Sequence, residues 1–244
     1  MKEVRPYDDR EGSKKEQVEN MFDAIAETYD PLNRVLSLGI DKRWRKQMMR
    51  ELDREQPKRI LDVATGTADV ACDAARYFPA AQVTGLDLSA KMLERGRQKV
   101  NEKKLSERVT LVKGDSEALP FENEAFDAVT VAFGVRNFGN LQQGLEEMQR
   151  VLKPGGTLVV LEFSRPRRFP VKNVFNVYFK YVLPQIGRWT SKDPKAYQYL
   201  YDSVQVFPQY EEFEACLSKA GFSDTDFKTL TFGICCVYIA YKSS

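Results

Sequence analysis

The sequence predicts an α/β fold with a doubly wound parallel sheet, and two features of the chain lead to this prediction. From residue 59 to residue 163, short apolar runs alternate with longer stretches of helical periodicity. Such alternation is typical of parallel strands whose connecting helices cover both faces of the sheet. The composition agrees, because 43% of the 244 residues are hydrophobic, which is enough for a sizeable core.

The N-terminal region is expected to be helical before the alternation begins. Residues 1–13 are predicted to form a charged tail. Apolar side chains then recur every three or four positions, which predicts a helix over 14–29; they are Val18, Met21, Phe22, Ile25 and Tyr29. A second helix is predicted from Asp41, as its N-cap, to about Arg54. We therefore expect residues 1–55 to be a tail and helices that pack on a core formed by residues 56–244.

The elements of the second region follow in regular order. Strands are predicted at 59–63, 82–88, 109–113, 126–133 and 157–163, and helices from the first turn to about 78, from Ser89 as N-cap to about 103, and over 141–152. The fourth strand is apolar enough to be buried on both faces. Beyond residue 192, a helix over 210–220 that stops at Gly221 and strands at 225–230 and 234–241 complete the fold.

Charge and rare residue types exclude several classes of protein. The chain has no histidine, so a His base, a His-activated nucleophile and a His metal ligand are excluded. The formal net charge of +2 is low for a protein that covers nucleic-acid backbones. The four cysteines form no Cys-x-x-Cys pair, so we expect buried thiols and no metal site. No signal peptide or membrane-spanning segment is predicted, and we expect a cytoplasmic protein.

The turn after the first strand is the first candidate ligand site. It reads Asp62-Val63-Ala64-Thr65-Gly66-Thr67-Ala68-Asp69. A nucleotide-like ligand needs a tight turn here so that backbone N–H groups can approach it, and Gly66 permits that approach. A pyrophosphate would need more glycines and would be repelled by Asp62, whereas an ammonium group, such as that of S-adenosylmethionine, would be attracted. An ordinary strand–helix turn is the alternative.

Polar residues also follow the next two strands. Asp87 ends the second strand, where an acidic residue of a doubly wound nucleotide fold accepts hydrogen bonds from ribose hydroxyls; the alternative is that Asp87 caps the next helix. Asp115 and Ser116 follow the third strand, where a carboxylate and a backbone N–H can bind an adenine edge. Because ligands lie at the carboxyl ends of parallel strands, we expect these residues to share one cleft.

These motifs, with the turn Lys153-Pro154-Gly155-Gly156, resemble in their order a class I S-adenosylmethionine-dependent methyltransferase. Two further runs narrow the resemblance to the ubiquinone/menaquinone biosynthesis C-methyltransferases; they are Phe133-Gly134-Val135-Arg136-Asn137 and the Leu-Glu-Phe-Ser-Arg-Pro of 161–166. Other matching stretches are Tyr29-Asp30 with Asn33, Trp44-Arg45, 197–203, Phe207-Pro208, 220–222 and 231–233. The resemblance covers nearly everything from Val18 to Lys242.

The resemblance implies a fold, a cofactor and a set of site residues. The fold is a Rossmann-like methyltransferase sheet of seven strands with the last strand antiparallel, N-terminal helices and a helical lid insertion at 164–205. The cofactor is S-adenosylmethionine, and its expected contacts are Asp62, Gly66, Thr67, Asp87, Asp115 and Ser116. Arg136 and Asn137 are expected to face the substrate ring as catalytic residues. Ala68 stands where the family has a glycine, which makes the geometry of the first turn less regular.

The reaction that the resemblance implies is C-methylation of a prenylated quinol. Demethylmenaquinol is the first candidate, because residues 231–242 look more like the menaquinone-pathway members. The benzoquinol intermediate of ubiquinone biosynthesis is the main alternative. Another small molecule or RNA is a more distant one, and RNA is disfavoured by the low net charge. A nicotinamide oxidoreductase is disfavoured because the turn after the first strand has too few glycines. A non-catalytic binding module is the bland alternative, since a fold with a cofactor site need not catalyse a reaction.

The absence of histidine constrains how such a reaction would proceed. Loss of a hydroxyl proton makes the neighbouring ring carbon nucleophilic, but a guanidinium does not act as a base in proteins. Arg136 is therefore expected to stabilise the phenolate, while water or a carboxylate accepts the proton. A salt bridge at the edge of the sheet is the alternative role for Arg136.

The stretch 163–192 differs from the rest of the chain because it has seven basic residues, seven aromatic residues and no acidic one. Interleaved basic and aromatic side chains favour contact with an anionic membrane surface, where a prenylated quinol resides. The alternative is a lid whose aromatic side chains simply form core. We expect no nucleic-acid partner and leave association between copies of the chain open.

Overall fold

The computed structural model describes residues 4–7, 11–37, 39–53, 55–178 and 195–243. A seven-stranded sheet with the order β3-β2-β1-β4-β5-β7-β6 forms the centre of the molecule. Its strands are β1 (Arg59–Val63), β2 (Gln82–Asp87), β3 (Val109–Lys113), β4 (Phe126–Ala132), β5 (Leu152–Phe163), β6 (Phe222–Leu230) and β7 (Cys235–Lys242). The first five strands pair in parallel, and β7 lies antiparallel between β5 and β6. The predicted fold class is confirmed.

Helices cover both faces of this sheet. They are α1 (Lys14–Ile25), α2 (Tyr29–Ser37), α3 (Asp41–Glu51), α4 (Asp69–Tyr77), α5 (Ala90–Glu102), α6 (Leu141–Val151), α7 (Val171–Val177), α8 (Lys195–Val206) and α9 (Glu211–Lys219). Two short 3-10 turns lie at Val135–Asn137 and Thr231–Gly233. Side chains of β4 alternate between the two faces of the sheet. Val129 and Val131 belong to one of the two core clusters, and Ala128 belongs to the other.

The N-terminal helices pack on the sheet region. α3 lies against α4 and β5, and its apolar face buries Met48 and Met49 completely or almost so. Each such side chain contributes about 1.5–3 kcal/mol on burial. α1 begins with a reciprocal capping box between Ser13 and Glu16. The division of the chain at residue 55 stays a prediction.

Most predicted element bounds agree with the structure to within a few residues, but two N-terminal predictions were wrong. The helix predicted over 14–29 ends at Ile25, and Tyr29 begins a separate helix. Asp41 is the first residue of α3 and not its N-cap; its carboxylate accepts hydrogen bonds from Arg45 and Ser37. The Asp41 side chain therefore pairs with Arg45, four residues further along the helix, instead of capping the helix.

The turn from β1 into α4 contains Ala68, the residue that stands where we expected a glycine. Ala68 precedes α4 with φ +62° and ψ +30°, a left-handed conformation that glycine adopts more easily. Gly66 has φ +55°. The turn therefore holds an alanine in a left-handed conformation, at a local conformational cost of about 1 kcal/mol.

Candidate active site

Two adjoining cavities form a cleft at the carboxyl ends of the parallel strands. The larger one, the aromatic cavity, has a volume of about 430 Å³ and lies between the N-terminal helices, β1, β5, α7 and α8. The smaller one, the strand-end cavity, has a volume of about 80 Å³ and lies beside the ends of β2 and β3. Gly66, Phe133 and Asn137 line both, so the two cavities meet at these residues.

Asp62 lies at the inner wall of the aromatic cavity and is 1% exposed. One carboxylate oxygen accepts a hydrogen bond from the Thr65 hydroxyl at 2.5 Å, and the other accepts from the Thr130 hydroxyl at 2.8 Å. Burial raises the pKa of Asp62 to about 7, against the effect of these two hydrogen bonds. Asp62 thus holds the turn to β4 and is positioned behind the surface that a ligand would contact.

Asp87 lines the strand-end cavity. Its carboxylate accepts hydrogen bonds from the backbone N–H of Gly66 at 2.7 Å and of Ser89 at 2.9 Å. Burial raises the pKa of Asp87 to about 6, while these backbone donors lower it. The N-cap of α5 is Ser89, as predicted, because its hydroxyl accepts from the Met92 N–H. Asp87 therefore ties the turns after β1 and β2 together.

Asp115 and Ser116 line the same cavity. The Asp115 carboxylate accepts from Lys15 Nζ of α1 at 2.6 Å and from the Glu117 N–H at 2.9 Å. Lys15 also pairs with Glu117 at 3.0 Å. α1 consequently covers this end of the cleft. Lys15 pairs with the Asp115 carboxylate, which we predicted to bind an adenine.

Thr67 lies on the other side of Gly66, in the wall of the aromatic cavity. Its hydroxyl donates to Asp30 at 2.6 Å and accepts from Lys99 Nζ at 2.8 Å. Lys99 also pairs with Asp30 and with Asp69. The Thr67 side chain therefore joins α2 to α5.

The turn after β4 brings Arg136 to the junction of the two cavities. Gly134 begins this turn, and a Cβ at this position would lie 2.6 Å from the Ala64 Cβ, so only glycine allows the turns after β1 and β4 to approach so closely. Arg136 Nη1 donates to the Phe133 carbonyl at 2.6 Å and to Glu162 Oε1 at 2.6 Å. The guanidinium also lies over the Phe163 ring at 5.6 Å.

The Arg136–Glu162 pair is deeply buried, with side chains 8% and 0% exposed. Burial raises the pKa of Glu162, and the adjacent Arg136 opposes that shift. The predicted alternative role for Arg136, a salt bridge, is thus present. Among the described residues, Arg136 Nε and Asn137 Oδ1 are nevertheless buried without a hydrogen-bond partner. Both residues line the aromatic cavity, so the pair fixes Arg136 and leaves polar atoms for a ligand.

The remaining wall of the aromatic cavity is mainly apolar. Trp44, Phe133 and Phe163 form a ring cluster with centroids 4.6–6.2 Å apart. Trp44 Nε1 donates to the Thr231 hydroxyl at 2.8 Å, which holds the indole in this orientation. Other lining side chains are Phe22, Ile25, Tyr29, Val171, Val174, Phe175, Tyr178, Tyr199, Leu200 and Ile234.

Each predicted site residue borders the cleft, but they divide between its two cavities. Asp87, Asp115 and Ser116 meet at the strand-end cavity, whereas Asp62, Thr67 and Arg136 line the aromatic cavity; Gly66 and Asn137 line both. Reasoning from single residues missed Trp44 and Tyr199 as cavity residues. The resemblance covered both stretches without giving either side chain a role, and only the packing of α3 and α8 places them here.

The described residues contain no group of three or more cysteine and carboxylate side chains placed to hold a metal ion. Within the same residues, no helix has the length and apolarity required to cross a bilayer.

The sheet order, the cleft at the strand ends and its acidic residues define a fold shared with S-adenosylmethionine-dependent methyltransferases. A solved structure from Thermotoga maritima, described as a SAM-dependent methyltransferase and possible histamine N-methyltransferase, superimposes with a TM-score of 0.66 at 18% identity, over 92% of this chain and 99% of that chain.

A model of the ubiE/COQ5 methyltransferase family matches residues 10–242, and the chain belongs to that family. A demethylmenaquinone methyltransferase of Bacteroides fragilis is 48% identical over 239 residues, which cover 98% of this chain and 97% of the relative. A ubiquinone/menaquinone biosynthesis C-methyltransferase UbiE of Geotalea daltonii is 46% identical over 230 residues, which cover 94% of this chain and 97% of the relative.

Proposed function

We propose that this protein transfers a methyl group from S-adenosylmethionine to a ring carbon of a reduced, prenylated quinol, and that demethylmenaquinol is its substrate. The observation that carries this proposal is the division of the cleft. Asp87 and Asp115 lie together at the strand-end cavity, the other cavity is lined mainly by aromatic and aliphatic side chains, and Arg136 and Asn137 lie near the junction. The names of the two relatives support the quinol as substrate.

The residues of the strand-end cavity fit the cofactor. Asp87 would accept hydrogen bonds from the ribose hydroxyls, and Asp115 with the Ser116 backbone would bind the adenine edge between Leu86, Met92 and other apolar neighbours. The Gly66 turn would lie against the methionine part with Asp62 behind it, and the ammonium group of that part would favour the charged form of Asp62. When bound, S-adenosylmethionine supplies an electrophilic methyl group on a sulfonium.

Arg136 and Asn137 would then hold the quinol hydroxyl next to the carbon that accepts the methyl group. A phenol-like hydroxyl has a pKa of about 10 and is mostly protonated at neutral pH. Charge-assisted hydrogen bonding to Arg136 Nε favours the phenolate, and lowering that pKa by about 2 units requires roughly 2.7 kcal/mol. One guanidinium in a site shielded from water can supply this energy.

Glu162 orients the guanidinium, and the aromatic cavity would exclude water from the reacting atoms. Without histidine, the hydroxyl proton leaves to water or to a carboxylate. After methylation the hydrogen on the methylated carbon must also leave as a proton and the ring oxygen regain one, so that the aromatic quinol is restored with one proton released overall. The rate should therefore show no titration of an imidazole. A limb that rises with pH would report the substrate hydroxyl or a carboxylate.

The same proposal includes contact with the inner face of an anionic membrane through the described part of the 163–192 stretch. Phe169 is 81% exposed and Val174 is 66% exposed, and Val174 also lines the aromatic cavity. Arg168 and Lys172 are exposed beside them. The cavity therefore opens next to apolar and basic side chains, an arrangement that suits entry of a prenylated ring from a bilayer.

The stretch also has a core component. Phe175 is 3% exposed and packs with Val204, and Phe163 belongs to the ring cluster of the aromatic cavity. Six of the aromatic and basic residues of the stretch lie outside the described residues; they are Phe179, Lys180, Tyr181, Arg188, Trp189 and Lys192.

Vesicle flotation tests the membrane contact. The protein should float with anionic phosphatidylglycerol vesicles at low salt and lose that association at high salt. The double variant Arg168→Gln/Lys172→Gln should float less. The matched control Lys58→Gln/Lys104→Gln removes the same charge from residues that precede β1 and β3, at the opposite end of the strands from the cleft. It should float like the unchanged protein. No association at low salt would contradict this part of the proposal.

A methyl-transfer assay tests the reaction. Labelled S-adenosylmethionine is offered with reduced demethylmenaquinol, with the reduced benzoquinol intermediate of ubiquinone biosynthesis, and with RNA. We expect the highest kcat/KM with demethylmenaquinol and no labelled RNA. Omitting the reductant should abolish transfer, because an oxidised quinone ring is electron-poor. Preferred methylation of the benzoquinol would reassign the pathway, and labelled RNA alone would refute the proposal.

A further inference from the structure

Tyr199 is a buried polar side chain of the aromatic cavity for which the proposed function gives no role. It lies on α8 and is 3% exposed. Among the described residues its hydroxyl is buried without a hydrogen-bond partner, like Arg136 Nε and Asn137 Oδ1, and all three residues line the aromatic cavity. An unsatisfied buried polar group costs about 1–3 kcal/mol. A hydrogen bond to a bound ligand would remove this cost, so Tyr199 is a candidate ligand-binding residue.

Tyr199 approaches the ring site from a different element than the catalytic pair does. α8 packs against the 3-10 turn that carries Arg136 and Asn137. The charges of Arg136 and Glu162 both act on the Tyr199 hydroxyl, while burial raises its pKa, so the phenol stays protonated and can donate a hydrogen bond. Tyr199 belongs to a buried hydrophobic cluster that also contains Met21 and Ile25 of α1.

The substrate class gives this hydroxyl a partner. A quinol carries two oxygens on opposite sides of its ring, and the adjacent residues Arg136 and Asn137 serve the oxygen beside the methylated carbon. The second oxygen would otherwise lie in an apolar cavity without a partner, which disfavours binding. We propose that the Tyr199 hydroxyl binds this second ring oxygen and thereby selects a 1,4-dihydroxy ring; the inference rests on the proposed function.

A substrate-and-enzyme cycle tests this role. The protein and Tyr199→Phe are each assayed with a prenylated naphthalenediol and with its analogue that lacks the hydroxyl remote from the accepting carbon. The missing hydroxyl changes the reactivity of the ring equally in both enzymes, so that effect cancels. The ratio of kcat/KM for diol over analogue should be about 10-fold larger for the unchanged protein than for the variant.

The matched control is Tyr201→Phe, on the same helix but outside the cavity lining. It should keep the substrate ratio of the unchanged protein. An equal ratio in Tyr199→Phe and the unchanged protein would overturn the inference. Failure of the unchanged protein to methylate the diol would instead refute the proposed function itself, so the two failures are distinguishable.

Thermal unfolding of the ligand-free variants separates a binding role from a structural one. Because the Tyr199 hydroxyl has no hydrogen-bond partner among the residues that the structure describes, Tyr199→Phe should keep or raise the Tm. A Tm lowered by several degrees would show that the hydroxyl stabilises the fold, and would count against a role in substrate binding.

Discussion

At the strand-end cavity the protein satisfies its own carboxylates, whereas at the Arg136 side of the aromatic cavity it leaves polar atoms unpaired. Asp87 is held by two backbone N–H groups, and Asp115 by Lys15 and the Glu117 N–H. In contrast, Arg136 Nε and Tyr199 Oη are buried and have no hydrogen-bond partner within the described part of the chain. One region is pre-organised without ligand, and in the proposed function the other would be completed by one.

This difference fits what each region would have to do. A cofactor site shared across a fold gains from rigid turns, because every turnover needs the same geometry. A site that must stabilise charge only while the reaction proceeds gains from donors whose partner arrives with the substrate. Substitutions in the two regions should therefore change different kinetic quantities.

The largest expected effect belongs to Arg136→Lys. Lysine keeps the positive charge but loses the planar fork that contacts Phe133 and Glu162 and that would hold the substrate oxygen in the proposed reaction. The value of kcat should fall by about 100-fold or more, while the Kd for S-adenosylmethionine changes by less than about threefold. Single-turnover rates and calorimetry measure the two quantities. A variant with unchanged turnover would remove Arg136 from the mechanism, and a large loss of cofactor affinity would erase the proposed difference between the regions.

The sequence predicted the two regions unequally well. Asp62, Gly66, Asp87 and Asp115 each lie at or shortly after the carboxyl end of a strand, so local pattern and the geometry of parallel sheets were enough to bring them to one edge. The aromatic cavity depends on how α1, α3 and α8 pack across the sheet. In the chain, α6, β5 and α7 lie between Arg136 and Tyr199, and no local periodicity indicates that contact.

Two further details could not be read from the sequence for the same reason. Thr67 was predicted to bind the cofactor, yet its hydroxyl is engaged by Asp30 and Lys99 from distant helices. Glu162 was noticed only as part of a matching run, and its buried pairing with Arg136 depends on the approach of β5 to the turn after β4. Long-range side-chain pairing is fixed by tertiary packing and leaves no spacing signal.

The second prediction addresses the strand-end cavity. Asp87→Asn should weaken S-adenosylmethionine binding by about 10- to 100-fold, because the ribose hydroxyls lose a charged acceptor. The pKa of Asp87 is raised to about 6, so below that pH the unchanged protein also carries a neutral side chain there. The difference in affinity should therefore shrink as pH falls through about 6. Calorimetry between pH 5 and 8 measures it.

The control for that measurement is Asp224→Asn, an exposed carboxylate on the edge strand β6, which should leave the Kd unchanged at every pH. A difference between Asp87→Asn and the unchanged protein that stays constant down to pH 5 would show that the charge of Asp87 is not what the cofactor contacts.

A smaller effect is expected at the entrance of the aromatic cavity. Val171 begins α7, lines the cavity and is partly exposed, so Val171→Asp places a charge beside the path of the prenyl chain with little disturbance of the core. KM for a long-chain substrate should rise about 5- to 10-fold, because apolar contact is replaced by a hydrated carboxylate. A substrate without the chain should be unaffected. An equal rise for both substrates would place the chain elsewhere.

The smallest expected effect tests whether α1 competes with the cofactor. Lys15 pairs with Asp115 at 2.6 Å, and the two side chains are 33% and 31% exposed, so this pair contributes at most about 1 kcal/mol. If adenine must displace Lys15 from Asp115, Lys15→Met should tighten S-adenosylmethionine binding by about two- to fivefold at low salt, and high salt should remove the difference.

The matched control is Lys113→Met, which breaks the pair with Glu19 that also joins α1 to the sheet but touches no predicted cofactor ligand. Tightening in both variants would indicate general loosening of α1. Weaker binding in Lys15→Met alone would make Lys15 a cofactor contact, and the strand-end cavity would then depend on its cofactor for completion as the aromatic cavity depends on its substrate.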